Sequence, residues 1–153
     1  MTFHAKISGY ADPALHAHGL YIGGSWHKGG GIAVLDPSTG QRLAEVADAS
    51  IDDARRAVDA AEAAAAGWRT TPARQRAEIL RRWFQLMTQH AEELATLISL
   101  ENGKALPDAR GEVAYAAEFF RWYAEEAVRI PGEYRHTPSG SHTILVDHEP
   151  IGI

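Results

Sequence analysis

The chain has 153 residues, 45% of them hydrophobic and 23% charged, and its 15 basic and 20 acidic side chains give a net charge of -5. That length suits one ordinary domain. The acidic balance argues against a nucleic-acid surface, and the apolar runs are too short for a membrane helix. Because the start lacks a signal-peptide core and the sequence contains no cysteine, we expect a cytoplasmic protein without disulfides, thiolate metal sites or a cysteine nucleophile in this chain.

The N-terminal part of the sequence predicts an arm followed by short strands. Residues 1–19 show no clear period and are assigned to an extended arm. Apolar runs at 20–26 and 31–35 predict two strands, and the three glycines at 29–31 are interpreted as the hairpin turn between them. A third strand at 42–46 would complete a small antiparallel meander.

A turn is predicted after the second strand, at Asp36-Pro37-Ser38-Thr39-Gly40, because three of these residues favour chain reversal. The ring of Pro37 fixes its own φ, and the Asp36 side chain can accept a hydrogen bond from the following backbone. Gly40 accepts the positive φ that such a turn needs. The segment is therefore predicted to reverse the chain direction.

The first two of four predicted helices are marked by capping signals. The first begins after Ser50, with Asp53 completing an approximate capping box. The second begins at Thr71, with Pro72 at its first helical position. Spacing at i, i+3, i+4 and i+7 predicts a buried stripe on the second helix. Its members are Leu80, Trp83, Phe84 and Met87.

The remaining predicted elements are two helices and a strand. The third helix covers residues 91–101 and ends at Asn102-Gly103, and the fourth covers 107–128. A last strand is predicted at 143–148. The fourth helix has one apolar side, whose members are Val113, Ala116, Ala117, Phe120, Tyr123, Ala124 and Ala127.

Residue chemistry alone indicates no active site. The eight histidines include no helical pair with the spacing of a peptidase zinc site, and solvated or packed histidines are the simpler interpretation. The glycines at 29–31 lack the strand-to-helix context and the lysine of a phosphate loop. No G-x-S-x-G occurs, and the glutamates of the fourth helix are interpreted as a solvated face.

Three segments carry a resemblance to a known family. The turn Asp36-Pro37-Ser38-Thr39-Gly40 is similar to the Asn-Pro-x-Thr-Gly turn of aldehyde dehydrogenases, with Asp36 in place of the asparagine. Glu101-Asn102-Gly103-Lys104 is similar to the family's acid-x-Gly-Lys segment. The helix that contains Gly111-Glu112-Val113-Ala114-Tyr115-Ala116-Ala117 looks closest to the succinate-semialdehyde branch. The resemblance extends from about residue 20 to residue 153.

The resemblance implies an α/β fold that corresponds to the N-terminal part of an aldehyde dehydrogenase. It would comprise a small antiparallel strand meander, a layer of four helices, a strand of the oligomerisation arm and an incomplete nucleotide-binding sheet. Residues 1–19 would be an arm, 20–135 the N-terminal part of the nucleotide-binding domain, and 136–153 the oligomerisation strand and the start of the missing sheet. A homo-oligomer, either a dimer or a tetramer, is expected through the 143–148 strand and helical faces.

The resemblance also implies two sites. Tyr115 would point toward the substrate tunnel and Phe119 would lie a turn beyond it, although both side chains could instead pack on neighbouring helices. A structural monovalent cation would be bound by the backbone oxygens of Val34 and Leu35 and by the acid Glu101. Oxygen ligands suit such a hard cation.

The family reaction oxidises an aldehyde to a carboxylic acid with NAD or NADP, and succinic semialdehyde or a similar small aldehyde is the expected substrate. The family's catalytic cysteine and glutamate would lie beyond residue 153, so we expect this chain alone to be inactive, to bind no nucleotide cofactor and to self-associate. Two alternatives stay open. One is a stand-alone interaction module derived from such an enzyme, and the other is an unrelated helical binding domain.

Overall fold

The computed structural model of the protein describes residues 19–153. The predicted arm therefore lies outside the described residues except for its last position. In chain order the strands of the described part are β1 (Leu20–Ile22), β2 (Ser25–His27), β3 (Gly30–Leu35), β4 (Arg42–Asp48), β5 (Glu133–His136) and β6 (Thr143–Val146). The helices, all between β4 and β5, are α1 (Ile51–Arg69), α2 (Ala73–Gln89), α3 (Ala91–Asn102) and α4 (Leu106–Glu126).

The first predicted strand is a hairpin. Gly23 and Gly24 both have positive φ, at 58° and 82°, and they reverse the chain inside the segment predicted as one strand at 20–26. The resulting antiparallel pair β1–β2 places Tyr21 opposite Trp26, with their rings 5.0 Å apart. The prediction of a single strand here is wrong because Gly23 and Gly24, which were included in the strand, form its turn.

The glycines at 29–31 were also assigned wrongly. Gly30 and Gly31 belong to β3 and pair with Asp48 and Ala47 of β4, so this segment is strand and not turn. Gly31 lies close to Glu45, whose carboxylate carbon would be 2.5 Å from an added Cβ. Antiparallel pairing is confirmed, but β1–β2 and β3–β4 form two separate two-stranded sheets instead of one meander.

Helix α1 begins with the capping box that the sequence predicts. The Ser50 hydroxyl accepts a hydrogen bond from the backbone N–H of Asp53, and the Asp53 carboxylate accepts one from the backbone N–H of Ser50. The rest of the described chain buries none of the side chains of α1. The helix meets the turn of the first hairpin, where an added Cβ on Gly23 would lie 3.7 Å from Cβ of Ala60.

The core lies among α2, α3 and α4. Its buried residues are mostly small, which lets the helix backbones approach one another. They are Ala77, Ala95, Leu100, Ala109, Val113, Ala117 and Ala124. Trp83 of α2 stacks on Phe120 of α4 with ring centroids 5.7 Å apart, yet Trp83 is 54% exposed and Tyr123 of α4 is 56% exposed. The burial predicted for Trp83 is therefore wrong, and Tyr123, which lies on the predicted apolar side of the fourth helix, is not buried either.

The helix boundaries follow the local signals closely. Pro72, predicted as the first helical residue, is instead the N-cap of α2, so the helix begins one position later, at Ala73. Gly103, with φ of 76°, closes α3 in the left-handed conformation, and its N–H bonds to the carbonyl of Ser99. Within residues 19–153, no helix is long and apolar enough to cross a membrane.

A third antiparallel pair of strands follows the helices. The predicted strand at 143–148 is confirmed over the four residues of β6, which pair antiparallel with β5. Tyr134 and Leu145 face each other in this ladder and are 71% and 76% exposed. Strand β5 was not predicted from the sequence.

Candidate functional site

The two residues expected to border a substrate tunnel lie side by side on α4. Tyr115 and Phe119 are one helical turn apart, and their rings meet edge to face with centroids 4.9 Å apart. They are 68% and 46% exposed in the described chain. Within residues 19–153, no neighbouring helix covers most of the Tyr115 side chain.

A groove of about 280 Å³ extends from this pair along α4. Its lining residues are Tyr115, Glu118, Phe119, Trp122 and Tyr123. The four aromatic residues have the helical spacing i, i+4, i+7 and i+8, so they share one face. Trp122 was not predicted as a site residue and Tyr123 was assigned only to the apolar side of the helix, although this spacing was available as a signal. The aromatic rings suit contact with an aliphatic chain, and the lining holds no thiol and no imidazole.

One charged residue, Glu118, stands among the groove residues of the described chain. Its Oε1 accepts two hydrogen bonds from Arg121, from Nε at 3.0 Å and from Nη2 at 2.8 Å. The guanidinium carbon of Arg121 also lies 5.5 Å from the ring centroid of Phe84 on α2. Arg121 thus links Glu118, at the groove, to α2.

An exposed ion pair joins α4 to α3. Arg110 donates from Nε and Nη2 to the two carboxylate oxygens of Glu92, both at 2.8 Å. These hydrogen bonds lower the pKa of the Glu92 carboxyl below its ordinary value and raise the pKa of Arg110. The bidentate geometry resists rotation of one helix against the other. It helps to hold the groove helix in its orientation.

The residues of the expected cation site come from two neighbouring segments. The ladder of β3 shifts register between Val34 and Leu35, and Glu101 lies exposed in the last turn of α3. The turn after β3 contacts the end of α3, since an added Cβ on Gly103 would lie 3.0 Å from Cγ of Pro37. The structure thus brings the two segments together. Among the described residues, no group of three or more His, Cys, Asp or Glu could hold a metal ion.

Asp36 stabilises the turn that makes this contact. It is 7% exposed, and its Oδ1 accepts hydrogen bonds from the hydroxyl and the backbone N–H of Ser38, at 2.6 and 2.8 Å. These bonds, the hydroxyl first, hold the pKa of the Asp36 carboxyl below its ordinary value. The backbone N–H of Gly40 closes the turn on the Asp36 carbonyl at 2.8 Å. The turn predicted from the sequence is therefore present.

The glycines at 30 and 31 do not form the kind of turn that binds a nucleotide phosphate. A dinucleotide pyrophosphate binds where a glycine-rich turn joins a strand to a helix N-terminus. The glycines at 30 and 31 lie instead within an antiparallel ladder. In residues 19–153 the strands form antiparallel pairs only.

A cleft of about 440 Å³ lies where the end of α1 approaches the chain after β6. Its lining includes Trp68, Arg76, Asp147 and His148, and it is spanned by an ion pair of Arg69 with Glu149. Arg76 donates from Nη1 to the backbone carbonyl of Thr71 at 2.7 Å. The ionic side chains of this cleft balance in charge, with two arginines facing two carboxylates.

Comparison with known proteins gives a consistent result. Residues 26–153 match the model of the aldehyde dehydrogenase family. The chain is 54% identical over 110 residues to a succinate-semialdehyde dehydrogenase of Paenarthrobacter nicotinovorans, covering 72% of this chain and 24% of the relative. It is 40% identical over 145 residues to the NADP(+) succinate-semialdehyde dehydrogenase GabD of Escherichia coli (strain K12), covering 93% of this chain and 30% of the relative.

Solved structures agree with the sequence relatives. The crystal structure of succinate-semialdehyde dehydrogenase from Burkholderia pseudomallei superposes with a TM-score of 0.87 and 44% identity, over 92% of this chain and 30% of that one. The chain thus spans less than a third of the length of each of these relatives. The order of strand pairs and helices and the match over residues 26–153 support the same conclusion: this chain belongs to the aldehyde dehydrogenase family.

Proposed function

We propose that this chain is the N-terminal portion of an NAD(P)-dependent aldehyde dehydrogenase that oxidises a small aldehyde, with succinic semialdehyde as the first candidate. The proposal is supported mainly by sequence similarity: two relatives with that substrate in their names are 54% and 40% identical to this chain over the aligned residues. One of those names specifies NADP(+). The choice between NAD and NADP depends on residues outside this chain.

In this proposal the groove on α4 forms one wall of the substrate tunnel. Tyr115 and Phe119 are exposed and share a face, as residues that contact a substrate chain would. Aromatic rings give the methylene groups of a short aldehyde an apolar surface at little entropic cost. We assign these two residues to substrate contact.

The cation site and the subunit interface are further parts of the proposal. Val34, Leu35 and Glu101 lie on two segments in contact, so a monovalent cation there would join β3 to α3, with additional oxygen ligands from elsewhere. Strand β6 has the exposed apolar side chains of Leu145 and Val146, which favours pairing of the 143–148 strand with another subunit. A cytoplasmic location stays a prediction from the sequence.

The 153-residue chain by itself is proposed to be inactive. Aldehyde oxidation through a thioester needs a thiolate nucleophile, and this chain contains no cysteine. It would contribute the helix layer, one wall of the tunnel and the pairing strand. The remaining catalytic groups would come from the rest of the protein.

The second candidate function is a stand-alone interaction module. The exposed apolar surface on α1 and on the β5–β6 hairpin supports it, because such surfaces mark sites of association. The two candidates differ in the reading frame that encodes the chain. A frame that continues past the codon of Ile153 into a segment with a cysteine and a glutamate supports the enzyme, and a stop codon there supports the module.

The test of the proposed function is an assay of the product of the complete reading frame. We expect reduction of NAD or NADP in the presence of succinic semialdehyde. A parallel sample of the 153-residue chain should show none. A folded product that reduces neither nucleotide with any aldehyde would overturn the proposal.

A further inference from the structure

The groove on α4 combines an apolar wall with a single negative charge. Four aromatic side chains form the wall, and Glu118 is its charged member within the described chain. The side chain of Glu118 is 48% exposed. A carboxylate beside an apolar surface is only partly screened by water, so its field acts on whatever enters the groove.

The substrate in the proposed function is itself an anion. Succinic semialdehyde carries a carboxylate, which is ionised at neutral pH as an ordinary carboxylic acid is. Like charges in one groove repel, and this repulsion reduces productive binding. Glu118 alone would therefore disfavour the very aldehyde that the relatives' names specify.

Arg121 supplies the compensating charge. Its two N–H groups bind the same oxygen of Glu118, and its guanidinium is held over Phe84 of α2. Arg121 lies one turn from Glu118 and is not among the residues that line the groove. Its position thus cancels the charge of Glu118 without placing a cation in the path of the substrate.

We propose that Arg121 is a specificity-determining residue of this groove: it neutralises Glu118 and so admits aldehydes that carry a carboxylate. The inference rests on the proposed function. Arg121 acts through Glu118 and is a positioning residue. Its effect is expected on the choice between anionic and neutral aldehydes and not on the chemical step.

The expected change in aldehyde preference is small because both side chains of the ion pair are about half exposed to solvent. The side chains of Arg121 and Glu118 are 53% and 48% exposed, and pairs of this kind are screened by water and salt. Coupling energies measured for such pairs correspond to a factor of about two to five in an equilibrium or rate ratio. The preference for an anionic over a neutral aldehyde should change by that factor.

The test uses the complete enzyme and two aldehydes of equal chain length, succinic semialdehyde and butanal. The Arg121→Gln variant should lower the kcat/KM ratio of the first to the second about two- to fivefold, and high salt should weaken the effect. Arg121→Lys should retain most of the ratio. The double variant Glu118→Gln/Arg121→Gln should restore it, which loss of packing alone would not produce.

A second variant and a matched control complete the test. Glu118→Gln, which leaves Arg121 over Phe84, should raise the ratio. Arg55→Gln removes the same charge from α1, where Arg55 pairs with Asp52 at 3.1 Å, and should leave the ratio unchanged. An unchanged ratio in Glu118→Gln and Arg121→Gln, or an equal fall in Arg55→Gln, would overturn the inference while aldehyde oxidation persists. Absence of aldehyde oxidation by the unaltered enzyme overturns the proposed function as well.

Discussion

Gly103 and Pro37 meet where the turn after β3 contacts the end of α3, and an added Cβ on Gly103 would lie 3.0 Å from Cγ of Pro37. Gly103 also has a φ of 76°, which a side chain disfavours. Two segments that are far apart in the sequence, and that both resemble family motifs, thus depend on one glycine for their contact. The residues expected to hold a cation lie on either side of it.

The first prediction concerns this contact. Gly103→Ala should destabilise the protein by about 1–2 kcal/mol, because it imposes the left-handed conformation on alanine, and the close approach of Pro37 adds to the cost. Urea unfolding followed by circular dichroism measures the change. Gly111→Ala is the matched control: no atom lies within 4 Å of an added Cβ there, so this helical position should gain about 0.5–1 kcal/mol. Equal stability of the two variants would refute the account.

The second prediction concerns the packing of α4. Ala109 is 0% exposed and belongs to the cluster with Ala95 and Val113, so Ala109→Leu should overpack the core and cost about 1–3 kcal/mol. Ala114→Leu adds the same atoms to an exposed position of the same helix and should be nearly neutral. Thermal unfolding of both variants checks the comparison. A neutral Ala109→Leu would mean that α4 does not pack as described.

The third prediction is a pH dependence of the α1 cap. The hydrogen bonds from the Ser50 hydroxyl and backbone, with Arg56, lower the pKa of Asp53 from 3.8 to about 2. Because the folded pKa is below the unfolded one, the stabilisation is complete above about pH 4 and is lost as the pH falls through about 2. The stability difference between the unaltered chain and Asp53→Asn should therefore shrink from pH 5 to pH 2. A difference that is constant over that range would contradict the prediction.

The fourth prediction concerns association of the 153-residue chain. Ile51, Val58, Leu145 and Ile151 are each more than half exposed, and exposed apolar surface of this kind drives association. Sedimentation should show self-association between micromolar and millimolar concentrations. Leu145→Lys should weaken self-association if two copies of the β5–β6 hairpin pair with each other. Val58→Lys should weaken it if the chains associate through the exposed face of α1. A monodisperse monomer throughout would refute the prediction.

Local signals in the sequence predicted the helix ends well. The capping box at Ser50 and Asp53 and the glycine at 103 act through neighbouring backbone groups, so no distant contact is needed to specify them. The strand boundaries were harder to predict from the sequence. Glycine pairs occur both at 23–24 and at 30–31, and only pairing with β4 makes the second pair strand. All four residues of β5 are exposed, so it has no buried apolar face that a pattern could reveal.

The candidate site was predicted only in part. Tyr115 and Phe119 were chosen by resemblance, and the structure places them on one exposed face. Periodicity shows that Trp122 and Tyr123 lie near that face. It does not show which side of α4 is covered, because that depends on how α2 and α3 dock against it. Trp83 and Phe120 illustrate the point, since their stacking is a contact between helices.

The most direct measurement is nucleotide reduction by the product of the complete reading frame with succinic semialdehyde, compared with butanal under the same conditions. We expect the enzyme to oxidise succinic semialdehyde with a higher kcat/KM than it shows for butanal, and the Arg121→Gln variant to show a preference about two- to fivefold smaller. A folded product that oxidises neither aldehyde, with NAD or with NADP, would contradict the central claim.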